Sequence, residues 1–375
     1  MASALVDQLR SESAIVEARW GSAFESIPRH VFVPRYWELD EYNRPSRLVD
    51  GAISTHRGEW LTSAYENRPL VTQWVADGDW RVVTSSASQP SLVARMLQLL
   101  DVRDGQRILE IGTGTGYNAA LLCHRVGATN VASVDIHPGL IAEATGRLDA
   151  IGYAPTLRSG DGALGIKDGA PYDRILSTCA TPGVPSAWID QLADGGRIVT
   201  PLTIGGALVV VDKSGTGVSG GLSEHEAWFM PMRPSSPMPG YVPDLPSPAP
   251  GDSAHLGFSD LDPEALADPD FRLWLLLHTP LNFVDHVDES GGRTGLTVHD
   301  GTHQATAERS GDGHLNVRQD GRRLWDSVEA AWVSWVMHDR PQRRRLGVTA
   351  RSGGVQYVWL DSPDSHIRWP LLTGY

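Results

Sequence analysis

The sequence predicts an α/β protein, with a doubly wound, Rossmann-like first domain and a smaller α+β unit behind it. Three observations predict this. From Ile108 onward, short apolar runs alternate with helix-length amphipathic stretches, the pattern of βαβ units in a parallel sheet. A glycine turn, Gly112-Thr113-Gly114-Thr115-Gly116, follows the first of those runs directly. Past residue 252 the rhythm changes to strands joined by glycine turns around one long helix. The expected boundaries are 1–230 for the first domain, 231–252 for a linker and 253–375 for the second.

In order along the chain, an amphipathic helix comes first, and Pro90 fits the first turn of another over SLVARMLQLL. RILEIG, NVASVDI, PTLRSGD and YDRILSTCA read as strands, with YNAALLCHRVG and GLIAEATGRLDAIG as the helices between them. QRILEI and DRILST read as strands buried on both faces. A helix at SAWIDQLA, the Gly195-Gly196 turn and strands at RIVTPL and GALVVVDK complete the domain. Prolines at 234, 237, 239, 243, 246 and 248 exclude a helix or central strand there, leaving a linker or extended arm. Beyond lie a helix DPDFRLWLLLH, alternating strands at GLTVHDG, HQATAER and HLNVRQD, a helix LWDSVEAAWVSWVMH, and a strand pair near RLGVTAR and VQYVWLD.

Composition narrows the function. A chain of 375 residues with 41% hydrophobic content can bury one large core or two moderate ones. A net charge of −13 argues against a nucleic-acid partner, which needs clustered cations to neutralise phosphates. No apolar run is long enough to span a membrane, and the polar, acidic N-terminus lacks the pattern of a secretory signal, so a cytoplasmic location is expected. Cys123 and Cys179 lack metal spacing and are read as reduced packing residues. His299, His303 and His314 have no supporting carboxylates in pattern, so no metal is expected. His30 is expected to order the N-terminal segment.

The run ILEIGTGTGY, from Ile108 to Tyr117, carries the cofactor reading. A dinucleotide fingerprint would place a third packing glycine at position 117, where this chain has Tyr117. Glu110, two residues before the first glycine, would repel a pyrophosphate but could help hold an ammonium, which favours S-adenosylmethionine over NAD. Asp135 ends the next strand, where a carboxylate can accept both ribose hydroxyls. Asp161, in Ser159-Gly160-Asp161-Gly162, could meet the adenine amino group. Against this reading stand a nicotinamide-dependent oxidoreductase, disfavoured by Tyr117, and a peptide-binding protein without catalysis, disfavoured by the intact loop.

Together these segments resemble the protein L-isoaspartate O-methyltransferase family. IPRHVFVP (27–34) resembles its N-terminal signature, YENRPL (65–70) its acidic-proline element and SSASQPSLVARM (85–96) its serine block; GDGALG (160–165) and PYDRILSTCA (171–180) match later motifs. The resemblance spans roughly residues 10 to 210. It implies that Ser88 borders cofactor and substrate carboxylate, and that Gly112, Gly114, Asp135, Asp161 and Gly162 contact the cofactor. Ser86, Gln89, Glu110, Thr113, Tyr117, Ile136 and Thr178 complete the candidate cofactor set. Ser86-Ala87 stand where the family usually has a Thr-Ile pair, and the segment from Pro34 to Ser85 aligns poorly. Ser88 could equally cap the helix after Gln89-Pro90.

A carboxylate acceptor is already ionised at neutral pH and requires no general base, and no Ser-His-Asp set stands at a compelling spacing. The chain runs well over a hundred residues past its last motif. That extension resembles methyltransferases acting on lanthipeptides, lasso peptides and graspetides, which esterify an aspartate that then closes to an aspartimide. The expected partner is therefore a modified precursor peptide, with isoaspartyl residues of damaged protein as the alternative. Trp274, Trp325, Trp332, Trp335, Trp359 and Trp369 offer peptide anchors, although Trp325, Trp332 and Trp335 fall at helical spacing and read as core. Arg322, Arg323 and Arg343 to Arg345 read as a solvated face.

Overall fold

A computed structural model describes residues 1–78, 80–233 and 254–371. Among them, ten strands form one central sheet. Its parallel part runs in the order Thr156–Ser159, Val131–Asp135, Ile108–Ile111, Tyr172–Ser177, Leu192–Pro201. Ile108–Ile111 and Val131–Asp135 are buried throughout, as their apolar runs require. Register brings Ile111 opposite Val134 and Ser177, and Asp135 opposite Ser159, so the loops after these strands open on one edge. Ligands of open α/β sheets bind outside this carboxyl edge.

Side chains alternate between the two faces of the strand Ile108–Ile111. Ile108 packs into a cluster with Trp20, Phe24, Leu97 and Leu121 from the helices Ala18–Ser26, Pro90–Leu99 and Tyr117–Val126. Leu109 and Ile111 face the opposite cluster, which contains Trp188, Ile189 and Met232.

The fold adds one sheet that the sequence reading left unassigned and departs from the expected boundary at one point. The segment from Pro34 to Ser85 forms a four-stranded antiparallel sheet, ordered Pro45–Asp50, Arg35–Leu39, Leu70–Asp77, Trp80–Ala87. Tyr36, Val49 and Leu70 pack with Trp60 of the helix Arg57–Ser63 on one of its faces. The chain beyond 253 is also not one separate unit. Residues 254–337 hold a five-stranded sheet and the helices Pro269–His278 and Leu324–Met337. The strands Leu346–Arg351, Tyr357–Leu360 and Arg368–Pro370 instead return to the central sheet, where Leu346–Arg351 pairs with Gly217–Gly221. This covers an edge that would otherwise present unpaired backbone. The proline positions from 234 to 248 lie outside the described residues.

The expected peptide anchors are internal. Trp274, Trp325, Trp335, Trp359 and Trp369 are buried, and Trp332 packs half-buried against Phe271 and Trp335. Arg343 does not belong to a solvated face either. It is 2% exposed and held by Asp270 at 2.8 Å and Glu226 at 3.4 Å, joining the two parts of the chain. Arg345 pairs with Asp361 and Arg323 with Asp326. Among the described residues, no three His, Cys, Asp or Glu side chains gather as a metal site, and no helix is long and apolar enough to cross a membrane.

Candidate active site

The glycine loop is shaped by what surrounds it. Gly112 has φ +91°, and a Cβ there would stand 2.6 Å from Thr178 Oγ1 and 2.8 Å from Cys179 Sγ. Both the backbone angle and the contact demand glycine. Thr178 Oγ1 donates to the carbonyls of Ile111 and Gly112, so Thr178 braces the loop from the neighbouring strand end. Gly112 N donates to Val134 O at 2.8 Å and Gly160 N to Asp135 O at 3.0 Å, tying the three strand-end loops together.

Asp135 lies at the centre of these loops, 9% exposed. One of its oxygens accepts from Gly114 N at 2.9 Å and the other from His137 N at 3.0 Å. A carboxylate offers about four lone-pair directions, so acceptor capacity remains for a ligand. Ile136 follows it, half-buried. Asp161 caps a short turn by accepting from Ala163 N at 2.9 Å, and at Gly162 a Cβ would strike Ile111 Cγ2 at 2.7 Å.

Two candidate cofactor contacts, Glu110 and Tyr117, are corrected, and a third, Thr113, is limited to its backbone. Glu110 is 0% exposed: Asn118 Nδ2 donates to one of its oxygens at 2.6 Å and Ser133 Oγ to the other. It shares the Ile108 face beneath the helix layer, so it supports the loop from behind and meets no ammonium. Tyr117 is buried against Phe24 and Phe32, pointing into the N-terminal helices. The Thr113 side chain is buried too, its hydroxyl 2.6 Å from Ser133 Oγ, so within the loop only its backbone is left for a cofactor.

Burial raises the Glu110 carboxyl from 4.5 to about 7. The folded protein therefore binds more protons than the unfolded chain between these values, and stability falls as pH rises through that window. At about 1.4 kcal/mol per pKa unit, the loss is on the order of 3 kcal/mol. Glu110→Gln should flatten this slope, as read from thermal unfolding at pH 5 and pH 8. Equal slopes in the two proteins would remove Glu110 as its source.

The Ser88 segment joins the strand Trp80–Ala87 to the helix Pro90–Leu99. A Cβ on Gly114 would stand 3.9 Å from both Ser85 Oγ and Ser86 O, so this strand end lies against the glycine loop. The cap of Pro90–Leu99 is Gln89, without a side-chain capping bond, so Ser88 is not used as a cap. Gln89 Nε2 donates instead to Ser91 Oγ at 2.9 Å. Ser88 is held through its carbonyl, which accepts from Arg29 at 3.1 Å.

Arg29 is the residue that sequence reasoning missed. Its guanidinium is fully buried and donates to the carbonyls of Ala64, Glu66, Arg68 and Ser88 over 2.8–3.2 Å, with no carboxylate partner among the described residues. Burial lowers its pKa to about 10, so it stays charged at neutral pH. A buried cation satisfied by neutral carbonyls is costly, and here it fixes four backbone positions at once. His30, its neighbour, lies between Trp60 and Tyr65, with Nδ1 2.8 Å from Tyr65 Oη.

A model of the family described as protein-L-isoaspartate(D-aspartate) O-methyltransferase matches residues 40–235. The chain belongs to the protein-L-isoaspartate O-methyltransferase family. A protein-L-isoaspartate O-methyltransferase of Anaeromyxobacter dehalogenans is 41% identical over 166 residues, 42% of this chain and 74% of that protein. One from Halorhodospira halophila is 38% identical over 218 residues, 56% of this chain and 82% of that protein. A solved structure titled protein-L-isoaspartate O-methyltransferase shares the fold at 20% identity and a TM-score of 0.55. Its alignment covers 96% of this chain and all of that one, so it extends beyond the matched family region. As a family member, the chain is a carboxyl methyltransferase dependent on S-adenosyl-L-methionine. The residues present fit that cofactor: a close-approach glycine loop, Asp135 with free acceptor capacity, and Asp161 on the next strand end.

Proposed function

We propose that the protein methylates the free carboxylate of isoaspartyl residues in polypeptides, and that Ser88 orients that carboxylate. The observation that carries the reading is the Ser88 segment, anchored by Arg29, continuing a strand whose Ser85 and Ser86 rest against the cofactor loop. The names of the similar proteins favour the isoaspartyl acceptor.

When bound, S-adenosyl-L-methionine supplies an electrophilic methyl on a sulfonium, leaving as a neutral thioether. Asp135 would hold the ribose hydroxyls, Asp161 the adenine amino group, and the backbone of Gly112 and Gly114 would allow close approach. The substrate carboxylate, with a pKa of about 4, attacks as the anion, so the protein moves no proton. Its work is placement and partial exclusion of water. Ser88 donates to the carboxylate oxygen that does not attack. The ester product is a good acyl electrophile, and the following backbone nitrogen can expel methanol to close a succinimide.

A hydrogen bond to a charged group contributes about 1.5–3 kcal/mol, so Ser88→Ala should lower kcat/KM roughly 10- to 100-fold. Affinity for S-adenosylhomocysteine, measured by calorimetry, should stay at the parent value. Unchanged turnover would remove Ser88 from the site.

A second reading, esterification of an ordinary aspartate in a constrained ribosomal peptide, rests on the length of the chain beyond its last motif. That length no longer favours it, because a solved structure titled as an isoaspartate methyltransferase aligns over 96% of this chain. Radiolabelled cofactor with matched isoaspartyl and aspartyl peptides, linear and macrocyclic, separates the readings. Label on linear isoaspartyl peptides of unrelated sequence is expected; label confined to a macrocyclic aspartyl peptide would overturn the proposal.

A further inference from the structure

Beside the donor loop, on the side of the helix Pro138–Ala150, lies a small cleft of about 90 Å³ whose walls include Arg35, Thr72, Gln73, Thr115, Glu143 and Arg147. Its charges do not balance. Arg147 donates to Glu143 at 2.6 Å and to Thr115 O at 3.2 Å, which neutralises one cation. The Arg35 guanidinium, exposed at the start of its strand, makes no side-chain hydrogen bond or ion pair with any described residue. Its cross-strand neighbour is Asp50, yet that carboxylate forms no ion pair with it and accepts from Ala52 N at 2.8 Å. Gln73 Oε1 accepts from Thr84, leaving its amide N–H groups for an acceptor. One surplus guanidinium and a free amide donor thus border one cleft, an arrangement complementary to a carboxylate.

The cleft also adjoins the acceptor side. Thr72 Oγ1 donates to Ser85 Oγ at 3.1 Å, and Ser85 is three residues before Ser88. At about 3.3 Å per extended residue, this is roughly 10 Å. We propose that the cleft is a specificity subsite for an acidic side chain of the polypeptide substrate, placed two or three residues from the methylated carboxylate, with Arg35 as its main ligand. This rests on the isoaspartyl reading above but is read by binding, independently of turnover.

The test uses fluorescein-labelled isoaspartyl peptides carrying Glu or Gln at two and three residues on either side of the acceptor. Binding is measured by anisotropy with full-length protein and S-adenosylhomocysteine. The parent protein should bind one Glu peptide about tenfold more tightly than its Gln partner. Arg35→Gln should erase that difference, Arg35→Lys should restore part of it, and Glu143→Gln should widen it by freeing Arg147. Equal binding of every Glu and Gln pair by the parent would overturn the subsite, as would a preference that survives Arg35→Gln. A preference without any methyl transfer to these peptides would leave the subsite standing and sink the isoaspartyl reading alone.

Discussion

Asp135→Ala should weaken cofactor binding roughly 10²- to 10⁴-fold. The size follows from what the carboxylate touches. Its two oxygens hold Gly114 N in the glycine loop and His137 N at the start of the next helix. As the proposed ribose ligand it would also accept from the cofactor, at about 1.5–3 kcal/mol per charge-assisted bond. Losing two such bonds costs about 3–6 kcal/mol, and each 1.4 kcal/mol is tenfold. Asp135→Asn separates the roles. An asparagine keeps one acceptor oxygen but turns an NH2 group toward one of the two backbone N–H groups, so it should also fall well below the parent. Calorimetry with S-adenosylhomocysteine reads both variants, and an alanine variant within fivefold of the parent would take Asp135 out of the ribose site.

The cofactor edge was the most legible part of the chain because its signals are local. Gly112, Gly114, Asp135, Asp161 and Gly162 occupy strand ends that the alternating apolar pattern locates within a residue or two, and the structure brings those ends together. Glu110 was misplaced for a reason that the same pattern contains. In a strand, residues two apart share a face, and Glu110 shares the face of Ile108 beneath the helix Tyr117–Val126, so its carboxylate could not also reach the strand end. The sheet formed by residues 35–87 had a readable signal as well. Asp77-Gly78 sits between runs that pair as Trp74 with Val83 and Val75 with Val82, the arrangement of a hairpin.

Arg29 had no such signal. Its partners lie 35 to 59 residues away and are all backbone carbonyls, whose chemistry is the same in every residue. The last strands of the tail were hard to assign for a related reason. RLGVTAR and VQYVWLD were recognisable as strands, but which sheet they join depends on the edge left by Gly217–Gly221, more than a hundred residues earlier.

That connection makes the second large effect one of folding. A chain ended at residue 253 should fail to fold cooperatively and should bind no cofactor. The cut removes Leu346–Arg351 from beside Gly217–Gly221, and with it Leu346, Val348 and Ala350, which pack in one cluster with Ile198, Val209 and Val218. It also removes Gln356, which clamps Val184 by accepting from its N–H at 2.8 Å and donating to its carbonyl at 2.6 Å. A buried Val or Leu contributes about 1.5–3 kcal/mol, so exposing a handful rivals the ~5–15 kcal/mol that holds a typical protein folded. Size-exclusion chromatography and thermal unfolding of the shortened chain are the measurement. A monomer with one sharp transition within about 5 °C of the parent would mean that the returning strands are dispensable. Loss of folding would instead mean that truncation cannot be used to assign peptide recognition to the tail, leaving single substitutions such as Arg35→Gln as the informative variants.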